Sequence, residues 1–127
     1  MHTRLLAIAA VVECIAGVAL VVLPGRIIAL LLGAEPHVQS EMIGRVAGVA
    51  LFALGAACAG AAADTGGAAQ AWTVAAITFY NLGAGMLLLL YAFGGEARGV
   101  VVWAIGALHL AFAAALASQA VRRHAHG

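Results

Sequence analysis

Charged residues are scarce in this sequence, and lysine is absent altogether. Only 9% of the 127 residues are Asp, Glu, Lys or Arg, whereas 65% are hydrophobic. A soluble domain normally carries charge on about a quarter of its residues, so this composition is typical of a protein surrounded by lipid. The net charge is +1 with His counted as neutral, which provides no basic field for nucleic acid. We therefore expect a membrane protein with membrane lipids as its surroundings and no nucleic-acid partner.

Cysteine and the common catalytic motifs are equally sparse. Cys14 and Cys58 lie in apolar segments at different expected depths, so we predict two packing residues and no disulfide. There is no phosphate-binding loop, dinucleotide fingerprint, zinc motif or nucleophile elbow. His124 and His126 follow an arginine pair, and we interpret them as part of a solvated tail. No cofactor is evident, and we predict no metal site.

Four apolar segments are long enough to cross a membrane, which requires roughly 20 apolar residues in a helix. Glycine follows the second and third segments, as is common where helices end. We predict a single all-α domain, an integral membrane, antiparallel bundle of four transmembrane helices. The helices are expected at about residues 5–23, 42–63, 71–93 and 100–121.

The connections between these segments indicate their order in space. Residues 27–34 are apolar but too few to cross, so they form either an interfacial helix or a continuation of the first helix beyond a kink at Pro24. Pro36 suits the first turn of the helix that leads into the second span. The two remaining connections are short, which predicts that the second, third and fourth spans are sequential antiparallel neighbours.

Arginine positions predict the orientation of the chain in the cell membrane. Four spans place both termini on one side, together with Arg4, Arg122 and Arg123, whereas Arg26 and Arg98 lie on the other side. Because cytoplasmic segments carry the excess of Lys and Arg, we expect a multi-pass protein with cytoplasmic termini.

Three of the predicted spans carry one strongly polar residue at a similar depth. Counting from the non-cytoplasmic ends, the rise of a helix places Glu13, Asn81 and His109 about 15, 18 and 13 Å deep. These depths are close to the centre of a bilayer. An ionisable residue at this depth is costly, and two interpretations are open: a functional site, or interhelical hydrogen bonds that only hold the bundle together. The three residues are therefore expected to form a polar layer, with Glu13 the strongest candidate.

Arg45, in the second predicted span, is another charged residue close to this layer. It lies about 5 Å inside the second span, so its side chain either extends outward to water or reaches inward towards Glu13. Gly44, Gly48 and Gly55 form a small-residue stripe beside it that is suited to close helix packing. Tyr80, next to Asn81, is an additional candidate for the layer.

Several functions are open at this point. The leading hypothesis is a binding protein or accessory subunit in which Glu13, Arg45, Asn81 and His109 hold the polar end of a lipid-like or quinone-like ligand. A second is a membrane enzyme of the isomerase or cyclase type, with Glu13 or His109 as general acid or base. A third is an oligomeric transporter of protons, ions or small solutes. A fourth is a structural subunit of a larger membrane complex, favoured if the glycine stripe faces outward.

A few features of the first half resemble the DoxX-like group of small bacterial four-helix membrane proteins. These features are Arg4, Gly17, Pro24 and the Gly44-Arg45 pair followed by Gly48. The resemblance implies a four-helix membrane fold. It implies no particular activity and no catalytic residue.

Overall fold

A computed structural model describes residues 2–33, 35–64, 67–95 and 99–124, and within these ranges it is almost wholly helical. The helices are α1 (His2–Val22), α2 (Pro24–Leu32), α3 (Val38–Ala63), α4 (Ala68–Phe93) and α5 (Val100–His124). Among the described residues, four helices are long and apolar enough to cross a membrane, all except α2. The prediction of an all-α chain with four such helices is confirmed.

The long helices begin earlier than the apolar segments suggested. α3 starts four residues before position 42 and α4 three residues before position 71. Polar side chains such as Gln39 and Gln70 occupy these first turns. Helical hydrogen bonds depend on the backbone and not on hydrophobicity, so a helix continues past the point where its apolar segment ends.

The chain between α1 and α2 changes direction at Leu23. Its backbone angles, φ −129° and ψ 49°, are not helical, and Pro24 then takes the first position of α2. Proline has no N–H to continue the hydrogen bonds of α1, but its fixed φ suits the start of a helix. Gly33 ends α2 with φ 69°, a left-handed conformation that favours glycine. The apolar stretch is therefore a separate short helix.

The prediction that Pro36 lies in the first turn of α3 was wrong, because the helix begins after it, at Val38. α3 begins at Val38, and His37 before it is extended, with φ −90° and ψ 159°. The carbonyl of His37 accepts hydrogen bonds from the Glu41 N–H (3.0 Å) and the Ser40 hydroxyl (2.7 Å). This local network places the start of the helix after His37.

α1 and α3 form the most extensive helix pair in the described part of the chain. A Cβ atom added to Gly48 would lie 2.7 Å from the Gly17 carbonyl oxygen, and one added to Gly55 would lie 2.7 Å from the Cys14 Sγ. The contacts advance along α3 as they recede along α1, so the two helices run antiparallel. Gly48 and Gly55 therefore face α1, while Gly44 contacts α2 at Ile28.

α4 and α5 form the second extensive pair, and their contacts also run antiparallel. A Cβ added to Gly85 would lie 3.0 Å from the Gly106 carbonyl oxygen. α3 and α4 also contact each other, but less extensively than α1 contacts α3 or α4 contacts α5. The two pairs share a core to which all four long helices contribute. Its buried members are Leu6, Ala9, Ala10, Cys58, Ala61, Val74, Ile77 and Leu116.

α2 packs at one end of both pairs. It contacts α1, α3 and α5, and the N–H of Gly99 donates to the carbonyl of Leu32 at 3.3 Å. Leu31 and Leu32 pack on a small second core formed by Ala92 of α4 and Val102 of α5. The short helix therefore connects the two helix pairs at the end opposite the main core.

We expect Gly48→Ala to destabilise the protein, because the methyl group would meet a backbone carbonyl that cannot rotate away. Overpacking of this kind costs about 1–3 kcal/mol of unfolding free energy. Reversible unfolding in mixed detergent micelles would measure the change.

Gly60→Ala is the matched control on the same helix, since an added Cβ there meets no atom within 4 Å. It should leave stability unchanged or raise it by up to about 1 kcal/mol through helix propensity. Equal effects of the two substitutions would contradict the close contact of α1 and α3.

Candidate functional site

Asn81 and His109 meet directly across the α4–α5 interface. The Asn81 Oδ1 atom lies 2.7 Å from the His109 Nδ1 atom, and the Asn81 amide nitrogen donates to the Ile77 carbonyl at 2.8 Å. Asn81 is only 4% exposed, and His109 is half-buried. The close approach of Gly85 and Gly106, about one turn away, brings these side chains into contact. Two members of the expected polar layer are thus hydrogen-bonded partners.

Tyr80 extends this pair towards the centre of the structure. Its ring meets the His109 ring edge to face, with centroids 5.7 Å apart and an interplanar angle of 87°. This arrangement is a favourable geometry for two aromatic rings. Tyr80 also packs against the main core, so it lies between His109 and the residues contributed by α1 and α3.

Glu13 lies on the buried face of α1, together with Ala9 and Ala10, and is 5% exposed. Ala9 and Ala10 belong to the main core, on which Tyr80 also packs, so Glu13 lies on the side of α1 that faces this core. Among the described residues, no hydrogen bond or ion pair is made by this carboxyl group. Glu13 therefore makes no direct hydrogen bond to the Asn81–His109 pair.

Arg45 lies apart from these residues. It is exposed, and its guanidinium group donates a hydrogen bond to the carbonyl of Val21 near the end of α1. The break at Pro24 leaves carbonyls in the last turn of α1 without helical partners, and a cation there is also favoured by the helix dipole. Of the two orientations considered for Arg45, the structure has the outward one, away from Glu13.

Two glutamines with buried polar atoms were not singled out from the sequence. Gln70 is 3% exposed and donates to the Ala61 carbonyl at 3.1 Å, which joins the start of α4 to the end of α3. The Oε1 atom of Gln119 is buried and has no hydrogen-bond partner among the described residues. Both lie near helix ends, where polar residues are ordinary, so the sequence carries no signal that distinguishes them.

Cys14 and Cys58 are free thiols packed between helices. Cys58 is fully buried in the main core, as expected of a packing residue, and Cys14 lies against Gly55 and the Phe52 carbonyl. Within the described ranges, no three His, Cys, Asp or Glu side chains converge in a way that could hold a metal ion. His126 and Arg98 lie outside the described residues.

Three polar groups come from three helices that border the main core. They are the Glu13 carboxyl, the Tyr80 hydroxyl and the Nε2 atom of His109, and none has a hydrogen-bond partner within the described part of the chain. Glu13 is buried, whereas Tyr80 and His109 are half-buried, and each of the three groups keeps some accessible surface. We name Glu13, Tyr80, Asn81 and His109 the polar cluster. Chemically, it can bind a polar group or exchange protons with one.

Comparisons of the chain with known protein families, with curated proteins and with solved structures found no match. The resemblance to the DoxX-like group therefore stays a prediction from the residues quoted above.

A double-mutant cycle should detect the bond between Asn81 and His109. We expect Asn81→Leu and His109→Phe to be coupled by about 0.6 kcal/mol and by no more than about 1.7 kcal/mol, the range known for interhelical hydrogen bonds in membranes. Unfolding in detergent micelles would measure both single variants and the double variant.

Glu13→Gln combined with Arg45→Met serves as the control cycle. Because Arg45 bonds to Val21 and not to Glu13, the effects of these two substitutions should add within about 0.5 kcal/mol. A coupling larger than that of the Asn81–His109 cycle would show that Arg45 turns inward in solution.

Proposed function

We propose that the chain is a multi-pass protein of the cell membrane in which the four long helices form an antiparallel bundle. We further propose that the polar cluster binds the polar head of an amphiphilic ligand. The outer surface supports the first part, because large apolar side chains cover it on every long helix. Examples with more than half of the side chain exposed are Ile15, Val49, Phe79 and Leu108. Contiguous apolar surface of this extent suits lipid and not water.

Glu13 is the observation that carries the ligand proposal. A carboxyl group buried among apolar side chains without a hydrogen bond loses its interaction with water and gains nothing from the protein. An interhelical hydrogen bond contributes only about 0.6 kcal/mol on average, and Glu13 does not make even one. A purely structural role explains the Asn81–His109 pair but does not explain Glu13. A ligand that hydrogen-bonds to the carboxyl group does.

The direction in which the glycine stripe faces is relevant to the hypothesis that the chain is a structural subunit of a larger membrane complex. An outward-facing stripe of Gly44, Gly48 and Gly55 would favour that hypothesis, but Gly48 and Gly55 pack on α1 and Gly44 packs on α2. The stripe is therefore occupied within the chain. An enzyme acting through Glu13 or His109 would use the same cluster, and its substrate would be a ligand of the kind proposed.

Native mass spectrometry should find a small amphiphile bound to protein released gently from its membrane. Glu13→Gln should reduce its occupancy about fivefold, because the amide keeps an acceptor oxygen but lacks the charge, and a hydrogen bond to a charged group contributes about 1 kcal/mol more than a neutral one. The measured mass would also identify the ligand class.

Glu41→Gln makes the same chemical change outside the cluster, at the first turn of α3. It should leave the occupancy unchanged. If protein and both variants carry no ligand, while Glu13→Gln alone alters stability, Glu13 is a structural residue and the proposal fails.

Reporter fusions test the proposed orientation. We expect alkaline phosphatase fused after Gly95 to be active, because the α4–α5 connection would lie outside the cytoplasm. Green fluorescent protein fused after Gly127 should fluoresce, since the C-terminus would lie inside. The reverse pattern would overturn the orientation, and activity of alkaline phosphatase at both positions would contradict four spans.

A further inference from the structure

The hydrogen bonds of Asn81 determine which way its amide group faces. The Ile77 carbonyl, 2.8 Å away, can only accept a hydrogen bond, so the Asn81 amide nitrogen must face it. The Asn81 oxygen Oδ1 is then the atom directed at His109. A backbone carbonyl inside a helix cannot turn away, so this orientation is held by the fold of α4.

The same reasoning continues to the imidazole ring of His109. Because Asn81 Oδ1 can only accept, His109 Nδ1 must carry a proton and donate across the 2.7 Å contact. In a neutral imidazole the second nitrogen, Nε2, then holds a lone pair. Within the described residues, no carboxylate forms an ion pair with the ring. No negative charge there stabilises the imidazolium form that a second proton would produce. Nε2 is therefore a hydrogen-bond acceptor.

The other groups of the polar cluster make an acidic head group a poor fit. Glu13 contributes carboxyl oxygens, and Tyr80 contributes a hydroxyl that can accept as well as donate. The one arginine near the layer, Arg45, is exposed and bonded to Val21 at the end of α1. Within the described part of the chain, the cluster thus offers two acceptors and one hydroxyl, but no cation for a carboxylate or a phosphate.

We infer that the cluster selects amphiphiles whose head group is a hydroxyl, and that this hydroxyl donates its hydrogen bond to Nε2 of His109. The inference rests on the proposed function and names the ligand class for the same site. Two kinds of molecule carry such a head group, an aliphatic alcohol and a phenol or hydroquinone. Both satisfy the acceptor on His109.

The ring proton can be located by nitrogen-15 NMR on protein labelled at histidine. His2, His37, His124 and His126 would be replaced by Gln so that only His109 reports. We expect a protonated Nδ1 and an unprotonated Nε2, and Asn81→Leu should shift the ring towards the opposite tautomer. A proton on Nε2 in the protein with Asn81 intact would overturn the inference.

Ligand selectivity can be tested on the same sample in lipid nanodiscs, with no change to the cluster itself. The probes are dodecanol, dodecyl methyl ether, dodecanoic acid and 4-dodecylphenol, which share one chain and differ at the head. Binding is read from the Nε2 resonance. The alcohol, the phenol or both should shift it, and the ether should bind about tenfold more weakly because it lacks the donor.

A response to dodecanol alone would assign an aliphatic alcohol, and a response to the phenol alone would assign a phenolic head group. Binding of the ether or the acid as tight as that of both hydroxyl probes would overturn the inference, as would no response to either hydroxyl probe. A ligand without a hydroxyl that co-purifies and is lost in Glu13→Gln would overturn this inference while leaving the proposed function intact.

Discussion

α1 and α3 approach each other backbone to backbone, and much of the remaining structure depends on this contact. Gly17 and Gly48 face each other so closely that a single methyl group on either would collide with a carbonyl oxygen. The contact sets the register of α1 against α3, and with it the position of Glu13 along α3. Helices in an apolar medium associate through packing and not through a hydrophobic driving force, so small residues at the interface matter more than large ones.

The polar cluster lies where the α1–α3 pair meets the α4–α5 pair. Within α4–α5, Asn81 is satisfied on both sides, by the Ile77 carbonyl and by His109. Glu13 comes from the other pair and makes no hydrogen bond to this network in the described part of the chain. Two members of the cluster are therefore hydrogen-bonded to each other, and the Glu13 carboxyl is not.

Glu13 and Arg45 illustrate two different ways for a charged residue to exist in an apolar helix. Arg45 has a long side chain near the end of its helix, and the break at Pro24 provides a carbonyl at Val21 for it to bond. Its position is explained by local structure alone. Glu13 has a short side chain, about ten residues from the end of α1, and no such partner. The contrast is the physical reason for assigning a function to one and not to the other.

Hydrophobicity was sufficient to predict the long helices, and the fixed rise of a helix predicted one level for Asn81 and His109, which are hydrogen-bonded in the structure. These properties are local, so the sequence by itself determines them. The starts of α3 and α4, the position of Pro36 and the burial of Gln70 depended on capping and packing, which apolar patterns do not encode. The bond between Asn81 and His109, the ring contact of Tyr80 with His109 and the outward direction of Arg45 follow from the tertiary structure. Each of these depends on how one helix is rotated against another, and that rotation is set by contacts between residues far apart in the chain.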